Sequence, residues 1–327
     1  MTDHWMGKSG IPNSEFRIPN STKLSVSPEE SMKYLALFCL LSFALACGGP
    51  TDESGPVTDE PAPIVAGPGT IAASDGVSIA YTVSGEGSPA LVFIHGWMCD
   101  QTFWAAQVEE FSQTNTVITI DLPGHGMSGT DRDDWPLLAF GGDVQKVVEH
   151  LDLDEIVLIG HSMGGSTVLE AARLMPTRTR GVIAIDSLQD ADAKYDPDQF
   201  NGFLAAYEQD FAGTCLQFTS SMFLESADPE VVERVTSDMC DHSPEISIAL
   251  LREFFSYELG PALAAVEVPV RYINAPLYPT NVEVNRTYQP DFDGVIMDGV
   301  GHFLMMEEPA EFNQLLRQTV EGLEQRK

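Results

Sequence analysis

The sequence predicts an α/β fold, a mostly parallel central sheet flanked by helices, and three observations predict it. Apolar runs of strand length recur at residues 91–94, 117–120, 156–159, 182–185, 270–273 and 294–297. Strands that are apolar on both faces suit a parallel sheet covered on both sides by helices. Helical patterns at 103–111, 140–151, 163–174 and 310–323 fall between and after these runs, which makes a βαβ succession. Ahead of them, two short β-prone stretches between residues 71 and 83 flank Asp75-Gly76, a dipeptide that favours tight hairpin turns.

The alternation breaks between residues 188 and 266, where no strand run occurs but helical patterns do, at 200–211, 229–239 and 244–259. Such an insertion after the sixth strand is expected to form a mobile helical cap over one end of the sheet. The expected organisation is therefore a core made of 70–187 and 267–327, with the cap at 188–266.

The amino-terminal stretch reads as a processed leader. Residues 1–31 are polar and aperiodic, and Met32-Lys33 then opens a 13-residue apolar run at 34–46. This has the form of a secretory signal over 32–46, with 1–31 an upstream extension and Met32 the expected start. The run ends in Ala44-Leu45-Ala46-Cys47, which resembles the lipobox of bacterial lipoproteins. That resemblance implies a lipid on Cys47, export across the inner membrane and anchorage in the cell envelope. Residues 47–69, dense in Pro, Gly and acids, offer too little apolar surface to offset their ordering entropy and are expected to be a flexible tether.

Charge excludes some partners. The chain carries 49 Asp+Glu against 17 Lys+Arg, a formal net charge of −32, which repels phosphate backbones and anionic headgroups. Nucleic-acid binding is not expected, and membrane contact is expected only through Cys47. No apolar run reaches the roughly 20 residues of a spanning helix. The cysteines show no zinc-type spacing, so no metal site is expected; Cys215 and Cys240 are left open, paired in an oxidising compartment or free.

The chemistry centres on Gly160-His161-Ser162-Met163-Gly164. This G-x-S-x-G pattern follows one strand run and opens a helical one, the strand-turn-helix setting in which a serine hydroxyl is presented at the tip of a strained turn. Ser162 is the candidate nucleophile, and the Met163 amide points into the space where an oxyanion would form. Three further segments join it in order: Phe93-Ile94-His95-Gly96-Trp97, Asp121-Leu122-Pro123-Gly124-His125-Gly126-Met127-Ser128, and Gly299-Val300-Gly301-His302-Phe303 with Glu308-Pro309. Together the four resemble the α/β-hydrolase superfamily over almost all of residues 70–323. The resemblance implies the α/β-hydrolase fold, no cofactor, a second oxyanion-hole amide from Trp97 and a catalytic base in His302. It implies loop-supporting roles for His95, His125 and His161.

A carboxylate must hold the other ring nitrogen of His302. The family's usual acid follows the seventh strand, but residues 270–282 contain no Asp or Glu before Glu283. Some members carry the acid after the sixth strand, and here the run 182–185 is followed by Asp186. Asp186 is therefore the expected acid, with Glu283 the competitor and Asn281 a weaker third.

The expected function is that of a cofactor-independent serine hydrolase acting on an ester or similar acyl bond of a small, partly apolar substrate. Carbon-carbon bond hydrolases and cofactor-free peroxidases share the serine and stay open as alternatives, as does a noncatalytic ligand-binding lipoprotein. Phe203, Phe218, Met222, Phe223, Phe254 and Phe255 of the cap are the expected selectors of the acyl group.

Overall fold

The chain enters the fold on an antiparallel hairpin. Strand β1 (Gly67–Ala72) pairs with β2 (Ser78–Ser84), Gly67 opposite Val83, and the turn between them is closed by Asp75, whose Oδ1 accepts the Val77 amide at 3.2 Å. The computed structural model describes residues 65–324; Cys47, the leader and most of the tether lie outside the described residues. β1 begins at Gly67, inside the stretch expected to be tether.

Six further strands follow: β3 (Ala90–Ile94), β4 (Val117–Asp121), β5 (Ile156–His161), β6 (Thr179–Ile185), β7 (Val270–Asn274) and β8 (Asp293–Ile296). Among the described residues they make one eight-stranded sheet in the order β1-β2-β4-β3-β5-β6-β7-β8. β2 meets β4 antiparallel, and every pairing from β4 to β8 is parallel. Every residue of β3, β4, β5 and β7 is buried. The run expected to be apolar at 270–273 includes Arg271, which is buried and whose guanidinium pairs with Asp291 at 3.1 Å. β8 differs: Val295 and Ile296 are exposed, because the strand closes the edge of the sheet.

Helices α1 (Ala105–Phe111), α2 (Leu137–His150), α3 (Met163–Leu174) and α11 (Pro309–Glu324) pack against the sheet. In α2 the buried residues Phe140, Val144, Val147 and Val148 fall at helical spacing and form one stripe. Two short helices, α9 (Val282–Tyr288) and α10 (Leu304–Glu307), sit in the loops after β7 and β8. At one turn or two they are too short for a periodic signal, and the sequence does not announce them.

The described stretch between β6 and β7 holds five helices: α4 (Pro197–Gln209), α5 (Phe211–Ser220), α6 (Pro229–Cys240), α7 (Pro244–Ser256) and α8 (Leu259–Ala264). Three of them start alike, with Asp196, Asp228 or Ser243 at the N-cap and proline in the first turn, where its missing N–H costs nothing. The pattern expected as one helix over 200–211 is broken at Asp210, which ends α4 and caps α5 by accepting the Gly213 amide at 3.0 Å. The apolar spacing runs on across that break, which hides it. Cys215 and Cys240 form a disulfide that joins α5 to α6.

Candidate active site

At the end of β5 the backbone turns on Ser162, at φ 53° and ψ −118°, a conformation that costs a non-glycine residue about 1–3 kcal/mol. Neighbours hold it there. The Ser162 amide donates to the Ile185 carbonyl at 3.0 Å, and its carbonyl accepts both the Gly165 amide at 2.9 Å and the Ser187 hydroxyl at 2.7 Å. The flanking glycines serve close approach: a Cβ on Gly160 would lie 2.2 Å from the Gly164 carbonyl oxygen, and one on Gly164 would lie 2.5 Å from that of Ile94. No side chain fits at either place, so the turn requires the G-x-S-x-G spacing.

The loop after β3 lies against this turn, with the Gly96 Cβ position 3.2 Å from the Ser162 Cβ. It carries Trp97 and then Met98, at φ 55°. His95 locks the loop to the one after β4: its Nδ1 donates to the Gly96 carbonyl at 2.8 Å and its Nε2 accepts the Leu122 amide at 3.0 Å. That pattern fixes a neutral tautomer, and burial pushes the imidazole pKa down accordingly. His125 bonds the Pro123 carbonyl at 3.1 Å, and burial pushes its pKa well down.

His302 follows β8 and is almost fully buried. Its Nδ1 meets Asp186 Oδ2 at 2.5 Å. Asp186 stands directly after β6 at φ 40°, and its other oxygen accepts the Ala275 amide at 2.9 Å. With Nδ1 donating to Asp186, the imidazole keeps its lone pair on Nε2, on the opposite side of the ring. The backbone around the ring is also tied. Glu307 accepts the amides of Gly301 and Phe303 at 2.9 and 3.0 Å, and the His302 carbonyl accepts from His161 Nε2 at 2.9 Å. His161 is thereby a neutral donor, its pKa pushed well down by burial and by the neighbouring His302. Tyr278 sets its ring at 80° to His302, its phenol pushed up to about 12 by burial and by Asp186.

Neither alternative acid is bonded to His302. The Glu283 side chain is 92% exposed, with Arg286 4.0 Å away. Asn281 caps α9 through the Val284 amide and donates to Asp190.

Ser162, Met163, Trp97 and His302 line one cavity of about 400 Å³, part of it open to solvent. The segment between β6 and β7 furnishes most of its apolar wall through Phe218, Met222, Met239, Leu251, Phe254 and Phe255. Of the six expected selectors, Phe218, Met222, Phe254 and Phe255 reach the cavity; Phe203 packs behind on Tyr207, and Phe223 stacks on Phe303.

Several residues that build the site escaped the sequence reading. Asn274 ends β7, at the usual seat of the acid, and clasps Ser187 in the loop after Asp186. An amide carries no sign of such a role. Glu307 has a weak signal, an acid directly after the apolar stretch 303–306.

The chain belongs to the alpha/beta hydrolase family, whose model matches residues 91–315. Among curated proteins it is similar to a putative esterase/lipase of Haemophilus influenzae, 36% identical over 120 residues, which cover 36% of this chain and 41% of that protein. The chain thus spans less than half the length of that relative. It is also similar to the pimeloyl-[acyl-carrier protein] methyl ester esterase of Yersinia enterocolitica, 26% identical over 72% of this chain and 95% of the relative. Among solved structures, a thermophilic esterase from Thermogutta terrifontis shares the fold with a TM-score of 0.68 at 24% identity, over 79% of this chain and 99% of that one.

Proposed function

We propose that the protein is a cofactor-independent serine hydrolase that cleaves an ester or similar acyl bond of a small, partly apolar substrate through an acyl-enzyme. The observation that carries this reading is the Asp186–His302 pair beside Ser162 at the strained end of β5, with Ser162 and His302 on the wall of one cavity. Serine is a weak nucleophile at its free pKa. His302 Nε2 takes the hydroxyl proton as Oγ attacks the acyl carbon, and Asp186 stabilises the imidazolium that results. The negative charge that develops on the carbonyl oxygen is met by the amides of Trp97 and Met163. As the tetrahedral intermediate collapses, the bond to the leaving group breaks and His302 returns the proton to it. Water, deprotonated by the same imidazole, then attacks the acyl-enzyme and frees the acid and Ser162. Turnover of short-chain p-nitrophenyl esters tests this, with Ser162→Ala expected to lower kcat about 10⁶-fold. A variant with near-normal turnover would overturn it.

The apolar cavity wall supports an acyl group without charge, since a carboxylate-bearing one would meet no Lys or Arg among the residues that line it. We further propose that the enzyme is lipid-anchored at Cys47 in the bacterial cell envelope, with no other membrane contact and no nucleic-acid partner. The apolar run at 34–46 and its lipobox-like end support this, and the Cys215–Cys240 disulfide suits an oxidising compartment. Metabolic labelling with a fatty-acid analogue in a bacterial host should mark the wild type and not Cys47→Ser; an unlabelled wild type would contradict it.

A further inference from the structure

Two loops that carry the proposed catalytic groups are bonded directly to the helices inserted between β6 and β7. The indole N–H of Trp97 donates to the carbonyl of Ser247, within α7, at 2.9 Å. Ser247 is fully buried, and its Oγ lies 2.7 Å from both the Ser243 carbonyl and Met98 Sδ. A hydroxyl has one hydrogen. Both acceptors lie within its reach, so the carbonyl and the thioether share it in a three-centre hydrogen bond. α7 therefore grips two successive residues of the loop after β3, and the second of them, Met98, has the left-handed backbone. On the other side, the amide of His302 donates to the Met222 carbonyl at 2.8 Å, just beyond α5.

We propose that α7 is part of the catalytic apparatus, with the Trp97 indole a positioning group that aims the amide of the same residue into the oxyanion hole. The proposal rests on the serine-hydrolase reading. Its physical basis is that Trp97 is held at both ends of one residue. The loop backbone is fixed toward Ser162 by His95, as described above, while the side chain is fixed to α7. Because the Gly96 carbonyl and the Trp97 amide share one planar peptide unit, His95 already fixes the plane. The freedom that remains is displacement of Trp97 with its loop, and a tied indole suppresses it. Oxyanion donors act through placement: losing one costs about 10²–10³ in kcat, and an error of about 1 Å costs up to 10². The inserted helices then do more than shape the cavity. They cannot swing away as a body without releasing both Trp97 and His302, so the site is complete only with them in place.

Trp97→Phe removes the indole N–H and keeps an aromatic ring. It leaves no buried group unpaired, because the Ser247 carbonyl retains its helical partner. For a short-chain p-nitrophenyl ester the expected result is a kcat lowered about 10- to 100-fold with KM within about threefold, and an inhibition constant for a trifluoromethyl ketone raised in parallel with the loss of kcat. Ser247→Ala, which withdraws the contact to Met98, should give the same split at smaller size. Circular dichroism confirms that each variant is folded. A raised KM with unchanged kcat would make the indole only a cavity wall and overturn the proposal, as would unchanged kinetics in both variants. Fluorophosphonate labelling of the wild type separates the two levels: a labelled wild type with an unaffected Trp97→Phe sinks the positioning role alone, and an unlabelled wild type sinks the hydrolase reading and the positioning role with it.

Discussion

Asn274 and Ser187 exchange a pair of hydrogen bonds across the ends of β7 and β6. The Ser187 amide donates to Asn274 Oδ1 at 3.1 Å, and Asn274 Nδ2 donates to the Ser187 carbonyl at 2.9 Å. Ser187 directly follows Asp186, and its hydroxyl bonds the Ser162 carbonyl. One buried amide thus fixes the loop that carries Asp186 and, through it, the turn that carries Ser162.

Asn274→Leu should therefore be harmful to both fold and activity. It leaves the buried Ser187 amide and carbonyl without partners, at about 1–3 kcal/mol for each group. Urea denaturation should record a loss of about 2–6 kcal/mol for the two groups with the m-value unchanged, and kcat should fall more than KM changes. A variant of wild-type stability would remove the clasp from the account.

Asp186→Asn should lower kcat about 10⁴-fold, because a neutral amide neither enforces the Nδ1–H tautomer nor stabilises the imidazolium. Glu283→Gln should leave kcat near the wild-type value, since that side chain is 92% exposed and paired only with Arg286. Steady-state kinetics on the two variants side by side checks the assignment. The reverse pattern would transfer the acid to Glu283.

His95, His125 and His161 have their pKa values pushed down, in each case chiefly by burial. In the unfolded chain they titrate near 6.5. As pH falls below about 6.5 the unfolded chain binds protons that the fold refuses, so these groups lower stability toward acid by up to about 1.4 kcal/mol per pH unit for each histidine. Falling pH also relieves the repulsion of the acidic surface, which acts in the opposite direction. Comparison with His125→Gln cancels that shared effect. The variant's unfolding free energy should drop less steeply than the wild type's between about pH 6.5 and 5, by up to about one proton, whereas parallel curves would contradict the buried neutral state.

Reducing the Cys215–Cys240 bond should destabilise the inserted helices. The bond closes 25 residues of chain, for which loop-closure entropy gives about 3.5 kcal/mol. Thermal unfolding with and without reductant should show a lower midpoint for the reduced protein, and Cys215→Ser/Cys240→Ser should match the reduced form. Equal midpoints would mean that the bond adds nothing to stability.

The fold and part of the site were legible in the sequence because their causes are local. Strands buried on both faces are chiefly apolar, and the turn at Ser162 needs glycine at 160 and 164 because backbone fills the space where their Cβ atoms would lie. Asp186 as the carboxylate beside His302 is reached through the family's chain order and the lack of a carboxylate after β7. What stayed hidden depends on backbone groups and on packing. The carbonyls of Ser247 and Met222 hold Trp97 and His302, and a carbonyl has no signature in sequence. The break at Asp210 was hidden by apolar spacing that continues through it, and the cysteine pairing by geometry that only the packed helices supply.

The most direct test of the central claim is to treat the wild type with a fluorophosphonate probe and map the adduct by peptide mass spectrometry. Only a serine activated by a neighbouring base reacts at speed. One adduct is expected, on Ser162, absent from Ser162→Ala and strongly slowed in His302→Ala. An unlabelled wild type, or an adduct on another residue that survives Ser162→Ala, would contradict it.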